Sequence, residues 1–339
     1  MTPINLILAG LGNVGRAFIR LVEEKRPYCR SRYGLDLRLA AAFKSDGGML
    51  TKKNCGLTWS QDIQEADFKS HSDWTDGLEV REALEALQSG VLVECTPSNF
   101  ETGEPGLTYM RQALKKGWHI AAASKGALVL KYQELQSLAK RKKAILKYGG
   151  ATAAALPTLD VGTISLAGAE IASIEGILTG VTNYILTCME EGGSFEEALT
   201  FAQARGIAEP DPSLDIDGWD SSAKIVLITN SVAGTDFSLA AVRREGIRKI
   251  GPDEMKKAAS EGRRLKLLAR YYRDKNGQAK AEVRVVAIDK THPLYNVTGT
   301  NKGITFFTDT MGSITVTGGK SDPRGTAAAL LKDIINIYR

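Results

Sequence analysis

The first half of the chain alternates between short apolar runs and stretches with apolar residues at helical spacing. Ile4 to Ala9 is an unbroken apolar run, the signature of a buried strand, and Gly10-Leu11-Gly12-Asn13-Val14-Gly15 follows at once. Val14, Phe18, Leu21 and Val22 then recur on one face of a helix. Runs of the same kind predict strands at 37–43, 91–95, 118–123 and 144–148, with helices at 77–88, 106–116 and 132–142. Strand–helix alternation of this sort predicts a parallel sheet covered on both faces.

The pattern changes at Tyr148-Gly149-Gly150-Ala151-Thr152-Ala153-Ala154-Ala155-Leu156-Pro157, a small-residue stretch read as a crossover. Beyond it, strands are predicted at 171–178, 281–287 and 303–308, and helices at 183–190, 195–204, 219–232 and 256–271. A last helix, 325–337, follows Gly318-Gly319 and can return to the nucleotide domain. The fold class expected is α/β: a Rossmann-type dinucleotide-binding domain over 1–148, then an α+β domain over 149–317, with 318–339 as the returning helix.

At 339 residues, two domains are the default. The densest basic run, Lys140-Arg141-Lys142-Lys143, ends a predicted helix, where cations complement the helix dipole. With no interleaved aromatics, it predicts no nucleic-acid surface. Cys29, Cys55, Cys95 and Cys188 lie far apart, and His71, His119 and His292 show no ligand spacing, so neither disulfides nor a metal site is expected. No signal peptide or membrane span is recognisable, which predicts a cytoplasmic protein.

The chemistry concentrates in four places. In the glycine run, Gly10 permits a tight turn, Gly12 lets the backbone approach a pyrophosphate and Gly15 lets helix and strand pack closely, with Asn13 and Val14 opening the helix. At the end of the second strand, Lys44 and Ser45 stand where NAD-specific proteins carry an acid; a cation and a hydroxyl suit a 2′-phosphate, favouring NADP with NAD as the alternative. Lys52 and Lys53 lie nearby, and Asp36 reads as a turn residue. Thr96-Pro97-Ser98 and Ser124-Lys125-Gly126 end two further strands and should line the ligand cleft. Finally, a loop carrying Glu209, Asp211, Asp215 and Asp217 runs into a helix holding Asp220 and Lys224 on one face. Such a pair is commonly a surface ion pair. The apolar I-V-L-I that follows argues instead for burial and function.

Over nearly its whole length the chain resembles homoserine dehydrogenase, through G-L-G-N-V-G (10–15), E-C-T-P-S-N-F-E-T-G-E-P-G-L (94–107), A-S-K-G (123–126), G-I-L-T-G-V-T-N-Y-I-L (176–186) and E-P-D-P-x-x-D-I-x-G-x-D-x-x-x-K (209–224). The resemblance implies reduction of aspartate β-semialdehyde to homoserine with NADPH or NADH. It also implies catalytic roles for Lys125 and Lys224, with Asp220 ordering Lys224 and Glu209 and Asp215 holding the substrate ammonium. Gly180 and Thr182 would lie near the substrate, Gly319 near the cofactor, and the second domain's sheet would build a homodimer. Three positions depart from the family pattern. Gly149 replaces a glutamate that binds a monovalent cation, Val181 replaces a hydroxyl residue, and Gly318-Gly319-Lys320-Ser321-Asp322 replaces a glycine-rich turn. A dehydrogenase of the same build acting on another small amino or oxo acid is the nearest alternative, and a dinucleotide-binding regulator without turnover the next.

Overall fold

The structure, a computed structural model, describes residues 2–51, 56–58, 67–319 and 322–339. Cys55 and the basic residues Lys52, Lys53 and Lys320 lie outside the described residues. The chain divides into two compact units, 1–151 with 323–339, and 152–322.

The first unit is built on a seven-stranded sheet: β1 (Thr2–Ala9), β2 (Leu35–Lys44), β3 (Gly47–Leu50), β4 (Trp74–Asp76), β5 (Gly90–Glu94), β6 (His119–Ala122) and β7 (Leu146–Lys147), in the order β4-β3-β2-β1-β5-β6-β7. The strands from β2 to β7 in that order are parallel, and β3 and β4 add an antiparallel edge. Strand order reverses between β1 and β5, which makes their carboxyl ends the place for a ligand. Helices α1 (Asn13–Tyr33), α2 (Val80–Ala86), α3 (Gly106–Lys115) and α4 (Gly126–Arg141) connect the strands. Phe18, Ile19, Leu21 and Val22 of α1 pack with Leu6, Leu8 and Leu37 of the sheet and with Ala327, Leu330, Leu331 and Ile334 of the C-terminal helix Pro323–Ile337.

Two local expectations change in this unit. The fourth helix begins at Gly126, directly after Lys125, six residues earlier than its apolar spacing suggested. Asp36 is no turn residue but a buried member of β2 (4% exposed), bonded by Arg26, Arg30 and Arg38 at 3.0, 2.8 and 2.7 Å. Burial pushes its carboxyl up, but the guanidiniums outweigh that and hold it at about 2. It sits at the end of β2 away from the ligand edge.

The second unit carries β8 (Ile171–Ile177), β9 (Arg243–Arg244), β10 (Arg264–Arg273), β11 (Ala279–Ile288), β12 (Lys302–Thr308) and β13 (Ser313–Gly318), in the order β13-β12-β8-β10-β11-β9. Its pairings are antiparallel except β11 with β9. Its longer helices are α5 (Gly180–Glu190), α6 (Phe195–Ala204), α7 (Trp219–Val232) and α8 (Pro252–Ser260). The single helix expected over 256–271 is instead α8 followed by β10. Gly262, at φ 68°, breaks the helix, and the L-K-L-L-A-R-Y-Y that follows pairs with β8 on one side and β11 on the other. Those residues are good helix formers, so sheet pairing overrides local propensity. Among the described residues no helix is long and apolar enough to cross a membrane.

Candidate active site

In the first unit the glycine loop is fixed by backbone contacts. The Gly10 N–H donates to the Phe43 carbonyl (3.0 Å), and the Cys95 N–H to the Ala9 carbonyl (2.8 Å), so the ends of β1, β2 and β5 converge. Gly10 has φ 103°, and a Cβ there would lie 2.5 Å from the Cys95 carbonyl oxygen. A Cβ on Gly15 would lie 2.0 Å from the Gly10 carbonyl oxygen. Gly12 differs, because nothing lies within 4 Å of its Cβ position and it caps the 21-residue α1 with no side-chain bond. Free N–H groups at Asn13 and Val14 therefore meet open space at a helix N-terminus, a fitting place for a pyrophosphate. Lys44 ends β2 and is exposed, with Ser45 beside it. Asp46, the nearest acid in sequence, is paired with Lys69 at 2.7 Å.

The two other strand-end loops are tied together. Ser98 Oγ accepts the Lys125 N–H at 2.9 Å, and a Cβ on Gly126 would lie 2.2 Å from the Asn99 carbonyl oxygen. Thr96, Pro97 and Ser98 thus stand beside the start of α4, which Lys125 caps. Between the loops sits Glu94, fully buried, which the sequence reading passed over. The Thr96 N–H donates to its Oε1 (2.8 Å), and the hydroxyls of Thr96 and Ser124 donate to its two oxygens. Burial pushes its carboxyl up, against the pull of those donors. An acid ending the apolar run G-V-L-V was the available signal.

At the crossover, the Gly149 N–H donates to Asp333 Oδ2 at 2.8 Å, and Lys332 pairs with Asp333 Oδ1 at 2.9 Å. A Cβ on Gly149 would meet Lys332 Nζ at 3.0 Å and the Asp333 oxygens at 3.1 Å. A glutamate here would push its carboxylate into Asp333, so the cation site implied by the resemblance does not fit this position. Alkali ions attract chiefly through carboxylates, and this acid already has partners. Turnover assayed in sodium, potassium and a bulky organic cation at equal ionic strength should therefore agree; strong activation by one alkali ion would contradict this.

In the second unit, Asp220 and Lys224 sit one turn apart on α7 and pair at 2.5 Å, their side chains only 16% and 15% exposed. The Lys224 ammonium also donates to the Leu178 carbonyl (2.9 Å), just past β8. Trp219–Val232 is helical because its N-cap, Gly218, takes φ 80° and its apolar face is buried throughout. Gly180 and Thr182 open α5 and are buried, and the Thr182 and Thr179 hydroxyls bond each other. Asp211 accepts the Ser213 N–H (3.1 Å), and Asp217 grips Arg248 at 2.5 and 3.1 Å. Glu209 is exposed, and Asp215 lies half-buried in the single turn Ser213–Ile216. Gly319, at φ 74°, presses on the Ala155–Leu156 backbone, its Cβ position 2.6 Å from Leu156 N. Lys302, also unforeseen, is 2% exposed and donates to the Ala153 carbonyl at 2.7 Å. Burial and then the charge of Lys224 push its amine down to about 7. Nothing in its strand pattern marks it, since a lysine opening a strand is commonly solvated.

Comparison with known proteins places these features in one family's frame. The family profile described as homoserine dehydrogenase matches residues 157–335, and that of the homoserine dehydrogenase NAD binding domain matches residues 10–148. The chain is 36% identical to homoserine dehydrogenase of Methanocaldococcus jannaschii, over 99% of this chain and 98% of that one. It is 30% identical to the NAD(+)-dependent homoserine dehydrogenase of Pseudomonas canavaninivorans, over 100% and 97%. The solved structure of a candidate homoserine dehydrogenase from Archaeoglobus fulgidus matches with a TM-score of 0.85 at 32% identity, over 99% of both chains.

Proposed function

The chain belongs to the homoserine dehydrogenase family, and from that premise we propose that it interconverts L-homoserine and L-aspartate 4-semialdehyde, with Lys125 and Lys224 as its catalytic lysines. The partly buried Asp220–Lys224 pair carries this reading. A bound nicotinamide dinucleotide supplies the hydride acceptor, and Gly12 with the open end of α1 would hold its pyrophosphate. Loss of a hydride from the carbinol carbon requires the alcohol proton to leave and the oxygen's developing charge to be met. Lys224 is anchored by Asp220 and the Leu178 carbonyl, which fixes its ammonium for that task. Lys125, at the mouth of its own unit's ligand edge, supplies the second amine. Glu209 and Asp215 would hold the substrate ammonium. The homodimer, built on the second unit's sheet, and a cytoplasmic setting belong to the same proposal.

The substrate assignment is tested by comparing homoserine with 4-hydroxybutyrate, which lacks the ammonium. kcat/KM should fall by about 10²-fold or more, since a site built for a charged group is left with unmatched carboxylates. Equal values would remove Glu209 and Asp215 from substrate binding.

Lys44 and Ser45 support a preference for NADP. A guanidinium or ammonium facing a phosphate gains a charge-assisted bond that a ribose hydroxyl cannot give. Lys44→Asp should shift the ratio of kcat/KM for the two dinucleotides towards NAD by about tenfold or more. An unchanged ratio would move phosphate recognition away from the end of β2.

A further inference from the structure

Glu94 terminates β5 at the switch point, where its neighbours in the sheet are Ala9 and Ala122. A carboxyl placed at the end of a buried parallel strand with no counter-cation costs free energy unless its oxygens are satisfied. Here they are satisfied from two different loops. Oε1 takes the N–H and hydroxyl of Thr96, and Oε2 takes the hydroxyl of Ser124. The next residue after Ser124 is Lys125, whose own N–H is bonded by Ser98 from the first loop. The Ala123 N–H completes the tie by donating to the Glu94 carbonyl at 2.8 Å. On its remaining side the carboxyl meets the start of α3, with the Gly106 Cβ position 3.2 Å from Oε1. The group touches no open space and so cannot itself meet a substrate.

We propose that Glu94 is a positioning residue, a buried latch that fastens the 96–98 loop to the 124–125 loop and thereby fixes the backbone from which Lys125 reaches the ligand. The inference rests on the catalytic role given above to Lys125. Lysine has a long, flexible side chain, so its effectiveness depends on how firmly its main chain is held. A displacement of about 1 Å at a reacting group can cost roughly 10²-fold in rate. The latch needs a hydrogen-bonding partner at two points, not a negative charge: in Glu94→Gln the amide oxygen still accepts from Thr96 and the NH2 donates to a rotated Ser124 hydroxyl, whereas Glu94→Ala loses both.

Glu94→Ala and Ser124→Ala should each lower kcat for homoserine by roughly tenfold or more. Dinucleotide Kd, read by fluorescence, should change by less than about threefold, because the glycine loop is held by other bonds. Glu94→Gln should keep kcat within about threefold of wild type. In the protein without ligands, amide hydrogen exchange over residues 123–127 should speed up by roughly tenfold in the two alanine variants. If Glu94→Ala does not fold, Ser124→Ala carries the test, since it removes one hydroxyl alone. Wild-type kcat in folded Ser124→Ala, or unchanged exchange over 123–127, would overturn the latch, as would a Gln variant as impaired as the Ala variant. A wild-type protein inert to homoserine would overturn the proposed function instead, and the exchange measurement would then decide the latch by itself.

Discussion

Lys224→Ala should lower homoserine oxidation by about 10²-fold or more while dinucleotide affinity stays near that of the wild type. The ammonium sits against Asp220 and the Leu178 carbonyl inside the second unit, and the dinucleotide is assigned to the glycine loop of the first. Only the charge that develops on the substrate oxygen would call on it, so the loss should fall on kcat more than on KM. Removing it also takes from the Asp220 carboxylate, 16% exposed, the ammonium it pairs with at 2.5 Å. Double substitution of Asp220 to Asn and Lys224 to Ala should therefore be no worse than Lys224→Ala for activity. Lys125→Ala should show a similar loss. A folded Lys224→Ala protein turning over at the wild-type rate would remove this residue from the mechanism.

The second large effect is on stability. Gly15→Ala should destabilise the first unit, because the new methyl would lie 2.0 Å from the Gly10 carbonyl oxygen. That oxygen belongs to backbone, and Gly10 is itself wedged against the Cys95 carbonyl, so the loop has nowhere to retreat. Overpacking costs about 1–3 kcal/mol and sometimes more. For a unit of this size each kcal/mol lowers Tm by roughly 2–4 °C, so a fall of about 2–12 °C is expected, with dinucleotide binding weakened as well. Gly12→Ala is the control. Open space surrounds that position, and its φ of −79° suits any residue. It should leave Tm nearly unchanged and weaken dinucleotide binding, and a large Tm loss there would show that the glycines serve folding alone.

Much of the fold was legible because burial writes a period into the sequence. The runs at Ile4–Ala9 and 91–95, and the helices Phe195–Ala204 and Trp219–Val232, emerge where their apolar spacing placed them. What failed was decided by distant partners. Residues 264–271 look helical alone and become the centre of a sheet only because β8 and β11 lie on either side. The strands β3, β4 and β9 are short, the last two at sheet edges, with few apolar residues to announce them. β13 does alternate, as Ser313-Ile314-Thr315-Val316-Thr317, and was passed over between glycine turns. At the site, the i,i+4 rule alone brought Asp220 to Lys224, since helix geometry fixes that distance. Glu94 and Lys302 escaped notice because Ser124, which donates to one of the Glu94 oxygens, and Ala153, the Lys302 partner, lie 30 and 149 residues away.

The central claim is that this chain oxidises homoserine at the expense of a nicotinamide dinucleotide. The direct measurement is the absorbance of the reduced nicotinamide when purified protein, NADP or NAD, and L-homoserine are mixed, with Lys224→Ala run alongside. The account predicts a homoserine-dependent rise with the wild-type protein, faster with NADP, and almost none with the variant. A folded wild-type protein that binds either dinucleotide yet gives no rise with homoserine would contradict it.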